Sequence, residues 1–233
     1  MSSSFVPVKN FPPGYPWYRR LGANITYYFS QVPLWPRRNN LSRTDVRNIW
    51  TSVRAWDVIL AGNFQHISGF FIEWVVSHAL GYIGRWRCIH AFAHGVSHIW
   101  LRKVCRMYDT LLILRPRYAD ETLRGMFITT LVSELGKPYD FFFWADKQAE
   151  AYYCTKLIND ALQSAGYDTW LTSIASPHTM IDATLDDTFA AHRVLTPDAM
   201  IYGDFDIVFV SHNLIEKDGK YTFRDGPFGK ILM

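Results

Sequence analysis

Nowhere in the 233 residues does an apolar run reach the ~18 residues that a helix needs to cross a bilayer, and the opening MSSSFVPVKNFPPGYPWYRR has no long apolar core behind a basic head. Neither a transmembrane segment nor a secretion signal is expected, and the expected location is cytoplasmic. Cysteine is scarce as well. Cys88, Cys105 and Cys154 are an odd set without C-x-x-C spacing, so no disulfide framework and no zinc site is indicated, and no metal or cofactor is expected. Charged residues make up 19% of the chain with a formal net charge of +3, too weak and too scattered to point to nucleic acid as a partner. No internal repeat or low-complexity tract is visible. What the chain has is apolar (49%) and aromatic (16%) residues, enough to bury one sizeable core. Its oligomeric state is not readable.

Three regions are expected. Residues 1–54 carry prolines and aromatics in FPPGYPWYRR and VPLWPRRNN, a mixture that opposes regular helix and ladder pairing, so an irregular arm is predicted, ending in a short amphipathic helix in LSRTDVRNIWTSV capped by Ser42 or Thr44. Residues 55–185 read as the core. WDVILAG is a β-rich run, QHISGFFIEWVVS has helical spacing, and HALGYIGRW, CIHAFAHG, SHIWLRK and YDTLLILRPR read as strands of an antiparallel meander. Helices follow in ADETLRGMFITTLVSELG, with Asp120 and Glu121 in its first turn, and in AYYCTKLINDALQSAG, which Gly166 ends. KPYDFFFWADKQAE between them reads as an aromatic-rich loop, and SPHTMIDA as a short helix opened by Ser176 and Pro177. In a C-terminal extension, residues 186–233, packed on the core, DFDIVFVS and KYTFRDG look like a terminal strand pair. The class is α+β, an antiparallel sheet packed against a helix that carries a cysteine.

That cysteine is the first candidate for chemistry. Cys154 lies in the first turn of its helix, where backbone dipoles favour thiolate and are expected to lower its pKa below the ~8.5 of a free thiol. A cysteine on a half-apolar helix also serves as a small core residue, so a base must accompany it. His78 opens one extended run and His90 lies in the next, and adjacent antiparallel strands can bring the two imidazoles together. One would take the thiol proton while the other orients it. His94 and His98 follow His90 at helical spacing, but Gly95 and the strand-like IWLRK oppose a helical metal site. His178 and Asp182 fit a solvated helix face, and Cys88 and Cys105 read as inert. The cluster YDFFFWADKQAEAYY suits a groove for an acyl chain or peptide as well as it suits a core.

The order of VILAG, VVSHALGYIG, LGKPYDF, YYCTKLI and ASPHTMIDA resembles the permuted papain-like cysteine hydrolases of the NlpC type, and within them the YiiX or YebB-like group, from about Trp56 to Ala183. The resemblance implies a circularly permuted papain-like fold in which the histidine precedes the cysteine, as His78 precedes Cys154. It implies Cys154 as nucleophile, His78 as general base and His90 as third member, where the group often has a carboxylate. Tyr139 in KPYDF matches a tyrosine upstream of the nucleophile and is expected to help form an oxyanion site. Asp57 matches an acidic strand-start residue, but with Trp56 in place of the usual glycine, and a structural hydrogen bond is its expected role. The implied activity is hydrolysis of peptide or peptidoglycan-type amides, making the chain a cysteine peptidase or amidase. An alternative is a lipid esterase or acyltransferase with the same Cys-His pair, less favoured because YYCT stands in place of the N-C-E-H signature of lecithin-retinol-acyltransferase-like proteins. A third reading is a non-catalytic small-ligand-binding scaffold. The expected partner is thus a small peptide, amide or acyl substrate.

Overall fold

The computed structural model describes residues 6–30, 41–63, 75–117, 120–141, 151–169, 174–175 and 193–224. The helix read in QHISGFFIEWVVS, the FFWADKQAE part of the aromatic loop and the SPHTMIDA helix fall wholly or mostly outside them.

Six strands build the central sheet: β1 (Val58–Gly62), β2 (His78–Gly84), β3 (Arg87–Phe92), β4 (Gly95–Trp100), β5 (Thr110–Pro116) and β8 (Phe205–Val210). Their order across the sheet is β4-β3-β2-β1-β5-β8, and every neighbouring pair is antiparallel. VILAG of β1 is apolar without alternation because both faces of the sheet are covered. On one face Val58, Leu60, Ala79, Ile89 and Leu112 meet Phe127 and Leu131 of α4 (Glu121–Ser133) and Leu157, Ile158 and Ala161 of α5 (Cys154–Ser164). On the other, Ile59, Leu80, Cys88 and Ile113 meet Ile49 of α2 (Arg43–Ser52) and Leu101 and Val104 of α3 (Leu101–Met107).

Close approach of α4 and α5 to the sheet is possible because residue 81 is glycine. A Cβ there would run into Leu131 Cδ1 and lie 3.1 Å from Phe127 Cζ and 3.3 Å from Ile158 Cδ1. Below the sheet, Asp57 has the structural role expected of it. Its fully buried carboxylate accepts from Arg115 Nε and Nη2 at 2.8 Å each and from the Arg54 N–H at 2.7 Å, tying the turn before β1 to β5. The cap on α2 belongs to Ser42, whose Oγ accepts from the Asp45 N–H while the Asp45 carboxylate accepts in return from the Ser42 N–H. Asp45 also accepts from the His212 N–H, joining α2 to the C-terminal part of the chain.

Three readings of the sequence are corrected. The arm is not irregular throughout: α1 (Trp17–Ser30) is a helix, because Pro12, Pro13 and Pro16 all precede it and the Pro16 carbonyl accepts its first bond, from Arg20. SHIWLRK is not one strand, since β4 stops at Trp100 and LRKVCRM turns into α3. DFDIVFVS and KYTFRDG do not pair with each other. The first forms β8 and joins the central sheet beside β5, and the second forms β10 (Lys220–Phe223), which pairs with β9 (Leu214–Lys217). A two-residue pair, β6 (Ile174–Ala175) and β7 (Arg193–Val194), completes the described strands.

Candidate active site

Alternation along β2 and β3 decides where the two histidines point. Tyr82 and Cys88 are a cross-strand pair, His78 lies four residues before Tyr82 and His90 two after Cys88, so both imidazoles leave the sheet on the same side. They meet there, His78 Nε2 to His90 Nδ1, at 2.8 Å in a buried setting. Two further rings hold them. Tyr108, at the end of α3, stacks on His78 with centroids 5.8 Å apart and planes 10° apart, and Phe92 lies parallel to His90 at 6.0 Å and edge-on to His78 at 5.7 Å. Neither was singled out from the sequence. Phe92 was discoverable, since period two puts it on the same side as His90, whereas Tyr108 arrives from a helix whose packing no local pattern reveals.

Cys154 is the first residue of α5, after Tyr153 at the N-cap. The backbone N–H groups of Ala79, the residue directly after His78, of Thr155 and of Cys154 itself, together with the Thr155 hydroxyl, favour its thiolate form. The start of α5 and the start of β2 share one buried cluster, through Cys154 and Ala79. The thiol is nonetheless not activated in the resting state as its position suggested: burial raises it to about 11, outweighing the backbone donors that favour thiolate. The two imidazoles are shifted down by the same burial. Burial, and then the facing His90, hold His78 well below its usual 6.5, while burial and the Lys103 charge bring His90 to about 4. Tyr139 is brought into the same neighbourhood: burial and then Cys154 push its phenol well above the usual 10. It pairs through an isolated parallel bridge with Tyr152, which sets the segment entering α5.

The remaining candidates are elsewhere. His94 lies in the β3–β4 turn and His98 on β4, both exposed, and Cys88 and Cys105 are buried in the cluster beneath the sheet. Burial lifts Cys105 to about 11 and Cys88 further still. His178 and Asp182 lie outside the described residues.

A cysteine at a helix start, with histidines earlier in the chain on an antiparallel sheet, is the permuted papain order. The sequence profile of the permuted papain-like amidase enzymes YaeF/YiiX, the C92 family, matches residues 52–203. The chain belongs to this family. Among solved structures it is similar to the metalloprotein YiiX of Escherichia coli O157:H7, with a TM-score of 0.57 and 16% identity over 69% of this chain and 98% of that one. That likeness shows the permuted papain-like fold. No curated protein matches the sequence. The Escherichia coli structure is described as a metalloprotein; here, among the described residues, no three His, Cys, Asp or Glu side chains are gathered as metal ligands would be. As a C92 member the protein is a cysteine peptidase or amidase of the hydrolase class.

Proposed function

We propose that this protein hydrolyses an amide of a small peptide or peptidoglycan-type substrate, with Cys154 as nucleophile, His78 as base and acid, His90 as orienting partner and Tyr139 at the oxyanion site. The observation that supports the reading is the 2.8 Å contact between His78 Nε2 and His90 Nδ1, next to a strand residue, Ala79, that packs in one buried cluster with Cys154. With His78 Nε2–H donating and His90 Nδ1 accepting, the lone pair on His78 Nδ1 is free to take a proton.

Because thiol and imidazole are both neutral at rest, the attack is general-base assisted. His78 Nδ1 removes the Cys154 proton as the sulfur forms a bond to the substrate carbonyl carbon, and the carbonyl electron pair moves to oxygen. Backbone N–H groups at the start of α5 and the Tyr139 hydroxyl are the donors proposed for that oxygen. Collapse breaks the C–N bond, and the amine leaves with the proton from His78. Water then gives a proton to His78 and its oxygen to the thioester, and the thiol takes the proton back as the acid departs.

The test uses two small probes, an acyl p-nitroanilide and p-nitrophenyl acetate. Acid-quenched protein should carry an acyl group on Cys154 by peptide mass mapping, and Cys154→Ala should carry none. Acylation confined to Cys88 or Cys105, or turnover that survives Cys154→Ala, would remove the proposed nucleophile.

A further inference from the structure

Helix α1 turns a row of large apolar side chains away from the protein. Trp17, Leu21, Ile25 and Phe29 are 76%, 54%, 60% and 61% exposed, and Tyr18 is 57% exposed. At about 100° per residue these five fall within an arc of roughly 120°. The rest of the circumference is already in use. Ala23 is buried, the Asn24 side chain accepts from the Val8 N–H at 2.8 Å and donates to the Val8 carbonyl, and Tyr27 sets its ring edge-on against Phe92 at 6.2 Å and His94 at 5.6 Å. A core helix would face its apolar arc inward. This one makes its contacts through its other side, with bulky aromatic and aliphatic groups pointing out.

Charge indicates what covers them. The first 44 residues contain six basic side chains, Lys9, Arg19, Arg20, Arg37, Arg38 and Arg43, and no acidic one; the first carboxylate in the chain is Asp45. Arg19 and Arg20 leave the first turn of α1 on the two sides of the apolar arc, Arg20 with its Nε donating to the Tyr15 carbonyl at 2.9 Å, and from such positions basic side chains meet phosphate groups beside a helix lying in a bilayer surface. Trp and Tyr are the residues suited to that polar–apolar boundary.

We propose that the outer face of α1 docks the protein on an anionic lipid surface, with Trp17, Leu21, Ile25 and Phe29 entering the headgroup boundary and Lys9, Arg19 and Arg20 binding lipid phosphates. The proposal does not depend on the thiol mechanism. It has a consequence for it, because Tyr27 on the inner face of the same helix touches Phe92, which packs on His78 and His90. The site then lies one ring away from a membrane-bound helix, placed to receive substrates presented at a bilayer.

Full-length protein is sedimented with phosphatidylcholine vesicles, with and without about one third phosphatidylserine. Wild type should bind the anionic vesicles and be released by salt, and Leu21→Glu with Ile25→Glu should lower the bound fraction at least tenfold. Arg19→Gln with Arg20→Gln should lower binding to anionic vesicles while leaving any binding to neutral ones unchanged. Met126→Glu, at an exposed apolar position on α4, should bind as wild type does. In wild type, brominated lipids should quench part of the tryptophan fluorescence, and Trp17→Phe should remove that part; this readout needs no charged variant to fold. Absence of binding to either vesicle overturns the proposal. So does binding that the double glutamate variant leaves intact, or a dimer seen by light scattering that this variant dissociates, which would assign the face to a second copy of the chain.

Discussion

His78 and His90 are chemically alike and positioned unequally. Within the proposed mechanism His78 moves a proton in every turnover and His90 only holds its ring, so His78→Ala should lower kcat/KM about as far as Cys154→Ala, by about 10²- to 10⁴-fold, with the double variant little worse than either. His90→Ala should retain measurable activity, and His90→Gln, which keeps an acceptor, should recover part of the loss. Steady-state rates on an amide probe decide this, and full activity in His78→Ala would overturn the mechanism. The neutral resting state has its own signature. With the Cys154 thiol raised to about 11 by burial, its alkylation by iodoacetamide should be slow at neutral pH and rise towards alkaline pH in parallel with Cys105, which burial also raises to about 11. Rapid labelling of Cys154 alone near pH 6 would instead show a thiolate–imidazolium pair at rest.

At the scale of elements, the site depends on how tightly α5 lies on β2. Gly81 sits where Leu131 of α4 and Ile158 of α5 press closest, so Gly81→Val should overpack this seam, destabilise by about 1–3 kcal/mol and lower activity more than the stability loss explains, because the start of α5 carries Cys154. Gly125, on α4, has open space around it, and Gly125→Ala should be neutral or stabilising by up to about 1 kcal/mol. Thermal melts and rates on the two variants make the comparison. The elements differ in how legible they were. Alternation and apolar runs located β1, β2, β3 and β5, whereas Asp120, read as a first-turn residue of α4, is its N-cap and accepts from the Leu123 N–H. Helix α1 was missed because its flanking prolines masked a proline-free stretch between them.

For the whole molecule, two buried neutral histidines make the fold acid-labile. Their pKa values are depressed in the folded state, so below about 6.5 the unfolded chain binds protons that the native chain refuses. The stability they protect is complete above pH 6.5 and declines as pH falls, for His90 down to its folded value of about 4. Each costs about 1.4 kcal/mol per pH unit across its own window. Urea unfolding between pH 7 and 4.5 should show this slope, and His90→Gln should flatten it by about one proton's worth. An unchanged slope would mean that His90 is solvated and protonated in the native state.

The chain's local pattern determined much of this protein without reference to distant residues: an antiparallel set of strands, a cysteine at a helix start, and two histidines on successive extended runs. Those features are encoded within a few residues of one another. Only the tertiary structure decided that β8 completes the central sheet beside β5, that Tyr108 and Phe92 enclose the imidazoles, and that the Cys154 thiol rests protonated. The reason is desolvation. How far a helix-start thiol is shifted depends on how completely α5, β2 and the tyrosines around them exclude water, and those elements lie far apart in the chain.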